Sequence, residues 1–180
     1  MLIKILLVLA AIIAVVLIIA AFQPADFQVV RSTTIAASPE ALFAEVNDLH
    51  RWPAWSPYEK LDPAMKRTFE GAPAGVGAGY AWDGNKEVGT GRMAIVESRP
   101  AELIRLKLEF FKPMAGVCEA EFNFKPEGGG RTTVTWSMTG TNNYLAKIFC
   151  LFMNMDKMVG GQFAQGLADL KTLAETAARK

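Results

Sequence analysis

The first part of the chain is apolar without interruption. Ile5–Phe22 contains eighteen consecutive apolar residues. An α-helix rises about 1.5 Å per residue and needs about 20 such residues to cross a hydrocarbon core of about 30 Å. The pattern therefore predicts a transmembrane anchor over residues 1–22. A cleaved signal peptide is the alternative, although isoleucines at positions 18 and 19 make cleavage after Ala20 or Ala21 unfavourable.

Charge around this segment predicts its orientation. The amino terminus and Lys4 precede it, and Asp26 follows it. Because positive charge is retained in the cytoplasm, we expect a single-pass inner-membrane protein with a cytoplasmic amino terminus and a periplasmic domain. Residues 23–26 form the linker, and four residues span at most about 14 Å. The domain predicted over residues 27–178 is therefore expected to stay close to the bilayer.

The next segment predicts a strand followed by short helices. Residues 27–37, FQVVRSTTIAA, are rich in β-branched side chains, which favour a strand. Ser38, Pro39 and Glu40 then match an N-cap, a first helical position and a first-turn acid. The following stretch, DLHRWPAWSPYEKLDP, contains three prolines, and it predicts a second short helix or a turn.

From residue 66 onward, apolar and polar residues alternate. Residues 102–111, 116–126 and 131–140 each place apolar side chains on one face. Glycine-rich or proline-containing turns separate them, so the pattern predicts successive antiparallel strands. Residues 144–178 have helical spacing, with a possible break at Gly160-Gly161. We expect this helical region to cover the apolar face of the sheet.

Several stretches resemble one superfamily. STTIAASPEALFAEVNDLHRWPAWSP, GVGAGYAWDG, VTWSM and GGQFAQGLADLKTLAE are similar to SRPBCC proteins of the polyketide cyclase/dehydrase type, relatives of START lipid-transfer domains. The resemblance implies an α+β helix-grip fold, preceded here by the transmembrane helix. A seven-stranded antiparallel curved sheet would surround a long carboxy-terminal helix, with two short helices after the first strand. It also implies an apolar cavity for a lipid, isoprenoid or polyketide-like molecule.

Composition excludes several other functions. Net charge is +1 and no basic patch is present, so nucleic acid is not an expected partner. Cys118 and Cys150 lack CxxC spacing and clustered histidines, so we expect no metal and no cofactor. Their apolar neighbours favour buried free thiols, and pairing in an oxidising compartment is the alternative. The oligomeric state stays open.

No catalytic residue is predicted. The single histidine, His50, has no neighbouring nucleophile or second histidine, and charged strand residues such as Arg105 and Glu121 alternate away from the apolar face. The glycine-rich GAPAGVGAG lacks the lysine and hydroxyl residue of a phosphate loop. A binding or transfer module is therefore favoured. The alternatives are a cyclase/dehydrase-type or hydrolytic enzyme, and a protein-interaction module with a filled cavity and an exposed apolar patch.

Aromatic, aliphatic and methionine side chains are the predicted cavity lining, because such side chains adapt to apolar ligands. They are Trp52, Trp55, Tyr80, Trp82, Leu106, Leu108, Phe110, Phe122, Trp136, Met138, Phe149, Phe152, Met155, Val159 and Phe163. The resemblance also implies that the first strand pairs antiparallel with the last. The tethered start of the domain would then share an end with the turns at residues 83–86 and 112–114 and with the junction at residues 140–143. We expect this end to be the cavity entrance and to face the membrane, with Phe111, Lys112 and Met114 contacting lipid.

Overall fold

The computed structural model describes residues 1–178, without the side chain of Met155. Its elements follow the predicted order. They are α1 (Leu2–Phe22), β1 (Asp26–Ile35), α2 (Pro39–Asn47), a 3₁₀ helix (Leu49–Ala54), α3 (Pro57–Leu61), β2 (Lys66–Gly71), β3 (Ala78–Asp83), β4 (Thr90–Arg99), β5 (Leu103–Lys112), β6 (Gly116–Gly128), β7 (Arg131–Thr141), α4 (Tyr144–Phe152) and α5 (Met155–Ala177).

The seven strands form one antiparallel sheet in the order β1-β7-β6-β5-β4-β3-β2. Each strand from β2 to β7 pairs with its neighbour in sequence, and β1 closes onto β7. The predicted α+β helix-grip fold, with a curved sheet around the carboxy-terminal helix, is confirmed. The alternation of apolar residues defines the concave face, because successive side chains on a strand point to opposite faces.

The carboxy-terminal helical region divides earlier than the glycine pair suggested. The break lies at Met153 and Asn154, whose side chain accepts a hydrogen bond from Lys157 N and caps α5. Gly160 and Gly161 lie inside α5 instead. An asparagine at an N-cap satisfies a free amide of the first turn, which explains why the helix restarts there.

Helix α5 packs across the concave face through buried Phe163, Leu167 and Leu170. At Gly166 a Cβ atom would lie 2.8 Å from Pro57 Cδ and 2.9 Å from Trp136 Cζ3, so only glycine permits this close approach. The Phe163 ring stacks on Trp136 with centroids 4.0 Å apart. The centre of the domain is therefore filled by packed aromatic rings.

The tryptophans at positions 52 and 55 fix the corner between α2 and α3. Trp52 Nε1 donates to Val46 O at 2.9 Å, and Trp55 Nε1 donates to Glu45 O at 3.2 Å. Both indoles are buried, and their rings also meet Trp136 edge to face. The carbonyls at the end of α2 thus gain hydrogen bonds, and the corner is part of the core.

Helix α1 is long and apolar enough to cross a membrane, and a signal sequence would meet the same criteria. Its carboxy-terminal part packs against α4. The Tyr144 hydroxyl donates to Leu17 O at 2.7 Å, and Ala20 is the buried residue of the helix.

Candidate functional site at the open end of the sheet

Several strand ends and turns lie at one end of the sheet. Asp26, the first residue of β1, pairs with Thr141, and Thr90 pairs with Lys112. The β3–β4 and β5–β6 turns therefore share an end with the start of β1, as the strand directions predicted. We call this the tethered end, because α1 leads into it.

Burial of the concave face decreases toward the tethered end. On β5, Leu106 is fully buried, whereas Leu108 and Phe110 are half-buried. On β6, Phe122 is buried and Cys118 is half-buried, and on β3 the same change occurs from Tyr80 to Trp82. An apolar surface consequently remains partly uncovered at this end. We call it the mouth, and it comprises Phe27, Trp82, Leu108, Phe110, Cys118 and Gly140.

Two aromatic rings of the mouth lie across glycines. At Gly91 a Cβ atom would lie 2.5 Å from Trp82 Cζ2, and at Gly140 it would lie 2.8 Å from Phe27 Cε1. Trp82 Nε1 also donates to Val88 O at 3.1 Å, which fixes the indole. Its ring meets Phe110 with centroids 5.7 Å apart. Because neither glycine has a side chain, the rings of Trp82 and Phe27 can lie directly against the neighbouring strands.

An open depression of about 580 Å³ lies over the ends of β1, β6 and β7, and Phe27, Cys118 and Gly140 are among its lining residues. Small-molecule sites commonly measure about 300–1,000 Å³. The depression is thus large enough for part of a small apolar molecule. The other residues that border it are polar, apart from Val117.

The predicted lining residues differ in burial and in position. Trp52, Trp55, Tyr80, Leu106, Phe122, Trp136, Met138 and Phe163 are buried in the core. Trp82, Leu108 and Phe110 belong to the mouth, and Val159 is half-buried on α5. Phe149 and Phe152 lie apart on α4, because this helix packs beside α1 and leaves both rings exposed. The side chain of Met155 lies outside the described residues. Ligand contact by any of these residues stays a prediction.

Phe111, Lys112 and Met114 lie where the strand directions placed them. All three are exposed at the end of β5 or in the turn that follows it. Their predicted lipid contact remains a prediction.

A buried polar cluster was missed in the sequence. The Glu59 side chain is only 7% exposed and accepts hydrogen bonds from Tyr80 Oη at 2.8 Å and Arg67 Nε at 2.6 Å. Burial, followed by the hydrogen bond to Glu59, raises the pKa of the Tyr80 hydroxyl. Glu59 lies in a five-residue helix, which is too short to show a periodicity, so its inward position had no signal. For Arg67, the alternation of side chains along β2 was a signal for its inward position. Arg67 pairs in register with Trp82, which also points to the concave face.

One buried donor has no hydrogen-bond partner among the described residues. It is Trp136 Nε1, in a side chain stacked between Phe163 and Phe122. An unpaired buried donor costs about 1–3 kcal/mol. A hydrogen bond from Trp136 Nε1 to an acceptor oxygen that reaches the concave face would therefore be favourable.

Five charged residues of β5 and β6 alternate with the concave-face side chains, as predicted: Arg105, Lys107, Glu109, Glu119 and Glu121. Arg105 pairs with Glu121 at 2.9 Å, and Lys107 pairs with Glu109 at 2.7 Å. Cys118 and Cys150 are free and half-buried, less buried than expected, and burial raises the pKa of Cys118. Within residues 1–178 no group of three or more histidine, cysteine, aspartate or glutamate side chains could hold a metal ion.

Comparisons with known proteins address the fold and the family. The sequence model described as polyketide cyclase / dehydrase and lipid transport matches residues 26–175. No curated protein matches the chain.

Solved structures share the fold at low sequence identity. A protein from Chromobacterium violaceum is 15% identical with a TM-score of 0.60, over 82% of this chain and 96% of that one. A protein from Mesorhizobium loti is 16% identical with a TM-score of 0.59, over 83% and 98%. The di-domain ARO/CYC StfQ of the steffimycin biosynthetic pathway is 14% identical with a TM-score of 0.66, over 87% of this chain and 53% of that one. The present chain thus spans about half of that di-domain protein.

Proposed function

Because the chain belongs to the polyketide cyclase / dehydrase and lipid transport family, we propose that it binds a hydrophobic small molecule at the mouth and transfers it at a membrane surface. The ligand class is a lipid, an isoprenoid or a polyketide-like molecule. The observation that carries this proposal is the apolar concave face, which is closed at its centre and half-open at the tethered end. Half-buried aromatic rings gain free energy when a ligand covers them.

Membrane attachment through α1 is part of the proposal. A helix of 21 residues is about 31 Å long, which matches the hydrocarbon thickness of a bilayer. Because Lys4 and the amino terminus are positively charged, we propose that the helix starts in the cytoplasm and that the domain lies on the periplasmic side of the inner membrane. Protease added to spheroplasts tests this topology. Digestion of a tag fused after Lys180 supports it, and protection of that tag contradicts it.

Ligand binding is tested by native mass spectrometry of the full chain purified from its own membranes, followed by titration with the identified lipid. The variant Trp82→Ala removes the indole between Phe110 and Tyr80. Full burial of a large apolar side chain contributes about 1.5–3 kcal/mol, so we expect affinity to fall about tenfold to a hundredfold.

The matched control is Val76→Ala, which removes an exposed apolar side chain in the β2–β3 loop at the opposite end of the sheet. Its affinity should equal that of the unaltered chain. Equal affinity of Trp82→Ala, with a retained thermal transition, would contradict binding at the mouth. Reproducible purification without any ligand, together with no binding of phospholipids or isoprenoids, would contradict the proposed function itself.

A cyclase or dehydrase-type enzyme is the second candidate, favoured by the polar cluster of Glu59, Arg67 and Tyr80. A carboxylate that holds a buried phenol can position it to donate or accept a proton. The test is the conversion of a synthetic poly-β-ketone thioester by the chain. Loss of conversion in both Glu59→Gln and Tyr80→Phe, with unchanged thioester binding, would support catalysis, and absence of conversion by the unaltered chain contradicts it.

Two features also match the expectation for a protein-interaction module. The rings around Trp136 fill the centre of the domain, and α4 exposes an apolar face. That function requires the exposed face to contact protein rather than lipid.

A further inference from the structure

Large apolar side chains are exposed in a restricted part of the domain. After α1, every exposed phenylalanine, leucine and methionine among the described residues lies on α4, at the start of α5 or near the β5–β6 turn. The large apolar residues that are exposed elsewhere in the described part of the domain are the valines at positions 30, 76 and 96. Such clustering on one part of a surface marks an interaction site rather than ordinary surface composition.

Helix α4 contributes a continuous stripe to this surface. Leu145, Phe149 and Phe152 are 66%, 54% and 75% exposed. Their spacing of four and three residues places them on one face of the helix. No acidic residue occurs in α4, and Lys147 is its single charged side chain. A short amphipathic helix with aromatic rings on one face and a lysine nearby is typical of a helix that lies in the membrane interface.

The position of α4 beside α1 favours lipid as the partner of the stripe. Tyr144 donates to the carbonyl of Leu17, which lies five residues before the end of α1. At about 1.5 Å per residue, this contact is about 7 Å inside the level where α1 ends. If α1 spans the bilayer as proposed, the Tyr144 hydroxyl lies within the depth of about 5–10 Å to which an interfacial helix buries its apolar face. The exposed stripe is then on a helix that packs beside the exposed apolar surface of α1.

We infer that α4 is an in-plane membrane helix whose Leu145, Phe149 and Phe152 side chains insert into the lipid surface beside α1. This inference rests on the proposed anchoring by α1 and goes beyond it, because a tether alone would leave the domain free to move above the bilayer. Insertion of α4 fixes the tethered end against the lipid. A hydrophobic ligand can then pass between the bilayer and the mouth without crossing water.

The test measures the depth of a fluorescent label on the full chain in vesicles of phosphatidylethanolamine and phosphatidylglycerol. Cys118→Ala and Cys150→Ala remove the native thiols, and a nitrobenzoxadiazole label is attached to one new cysteine at a time. Phe149→Cys reports on α4, Ile12→Cys on the middle of α1, and Val76→Cys on the opposite end of the domain. All three positions are exposed, so labelling should leave the fold intact. Circular dichroism checks each labelled chain.

We expect lipids with a nitroxide near the headgroup to quench the label at 149 most strongly. Nitroxide deep in the acyl chain should quench the label at 12, and aqueous iodide should quench the label at 76. If the labels at 149 and 76 respond alike to iodide while the label at 12 stays deep, anchoring stands and the inference about α4 is wrong. A label at 12 that iodide quenches would instead contradict the anchoring.

A third result has a separate meaning. Protection of the label at 149 from both iodide and nitroxide lipids would show that protein covers α4, either a partner or a second copy of the chain. That outcome overturns the lipid assignment and supports the interaction-module alternative.

A functional variant tests the consequence for transfer. Phe149→Asp together with Phe152→Asp places two carboxylates on the stripe and leaves the mouth unaltered. Loss of even one inserted phenylalanine weakens the contact of α4 with lipid, so we expect ligand delivery to vesicles to slow about tenfold. The affinity for the ligand measured in detergent micelles should not change. Matched Val76→Asp should transfer at the unaltered rate. Equal transfer rates for the double variant and this control would contradict a role of α4 in delivery.

Discussion

Adding a single methyl group at Gly91 tests how the mouth is built. This glycine of β4 lies between Trp82 on β3 and Phe110 on β5 in the pairing register. In Gly91→Ala the new Cβ would lie 2.5 Å from Trp82 Cζ2 and 2.6 Å from the backbone oxygen of Glu109. Neither neighbour can move easily. The indole is held by its hydrogen bond to Val88 O, and the Glu109 backbone belongs to the paired strand β5.

The size of the effect follows from two opposing contributions. Forcing an extra carbon into a packed site costs about 1–3 kcal/mol. Replacing glycine restricts the unfolded chain, which returns about 0.4–1 kcal/mol. We therefore expect the free energy of unfolding to fall by about 1–2 kcal/mol. For a chain of this size each kcal/mol corresponds to about 2–4 °C in the melting temperature.

Two other glycines at the tethered end provide matched controls. At Gly116 no atom lies within 4 Å of the added carbon, so Gly116→Ala should leave stability unchanged or slightly raised. At Gly140 the nearest atoms belong to the side chains of Phe27 and Cys118, which can shift, so Gly140→Ala should be intermediate. Thermal unfolding followed by circular dichroism, with titration of the purified lipid, gives both stability and affinity. Equal melting temperatures for Gly91→Ala and Gly116→Ala would refute the packing argument.

Two further predictions concern the core. Trp55→Ala removes a fully buried indole and its hydrogen bond to Glu45 O, so the free energy of unfolding measured in urea should fall by about 3–5 kcal/mol. His50→Ala changes an exposed side chain and should lower it by less than about 1 kcal/mol. Similar losses in the two variants would contradict the structural role of Trp55. Burial raises the pKa of the Tyr58 hydroxyl above its value of about 10 in the unfolded chain, so the folded state favours the neutral tyrosine. The contribution of Tyr58 to stability is therefore complete below about pH 10 and declines as the pH rises further. The free energy of unfolding should fall less steeply above about pH 10 in Tyr58→Phe, by about 1.4 kcal/mol per pH unit, and an unchanged slope would contradict the shift.

Local sequence patterns predicted much of the fold because their physical causes are local. Ser38 caps α2 by accepting from Ala41 N, as its position before Pro39 indicated. Alternation along β5–β7 defined the concave face, because a strand has a period of two.

The parts that could not be predicted depend on the neighbours of each face. Helical spacing shows that Phe149 and Phe152 are near one another, but it does not show whether they meet the sheet or the solvent. Placement of α4 beside α1 decides that question. Similarly, Glu59 is buried because Tyr80 and Arg67 approach it from two strands. Such partners are distant in the sequence, so no pattern around Glu59 indicates them.

The depth that a ligand reaches separates the two leading functions. Trp82 belongs to the mouth, and Tyr80 lies two residues further from the tethered end on the same strand face. A strand rises about 3.3 Å per residue, so a reacting carbon must move about 7 Å beyond Trp82 to meet the Tyr80 hydroxyl. The core beyond that point is filled by aromatic rings, and catalysis would therefore require them to move. Carriage requires no such movement, since a ligand at the mouth already touches the rings that α4 would hold at the lipid surface. Affinity that depends on Trp82, together with no conversion of the poly-β-ketone thioester by the unaltered chain, would accordingly identify a carrier.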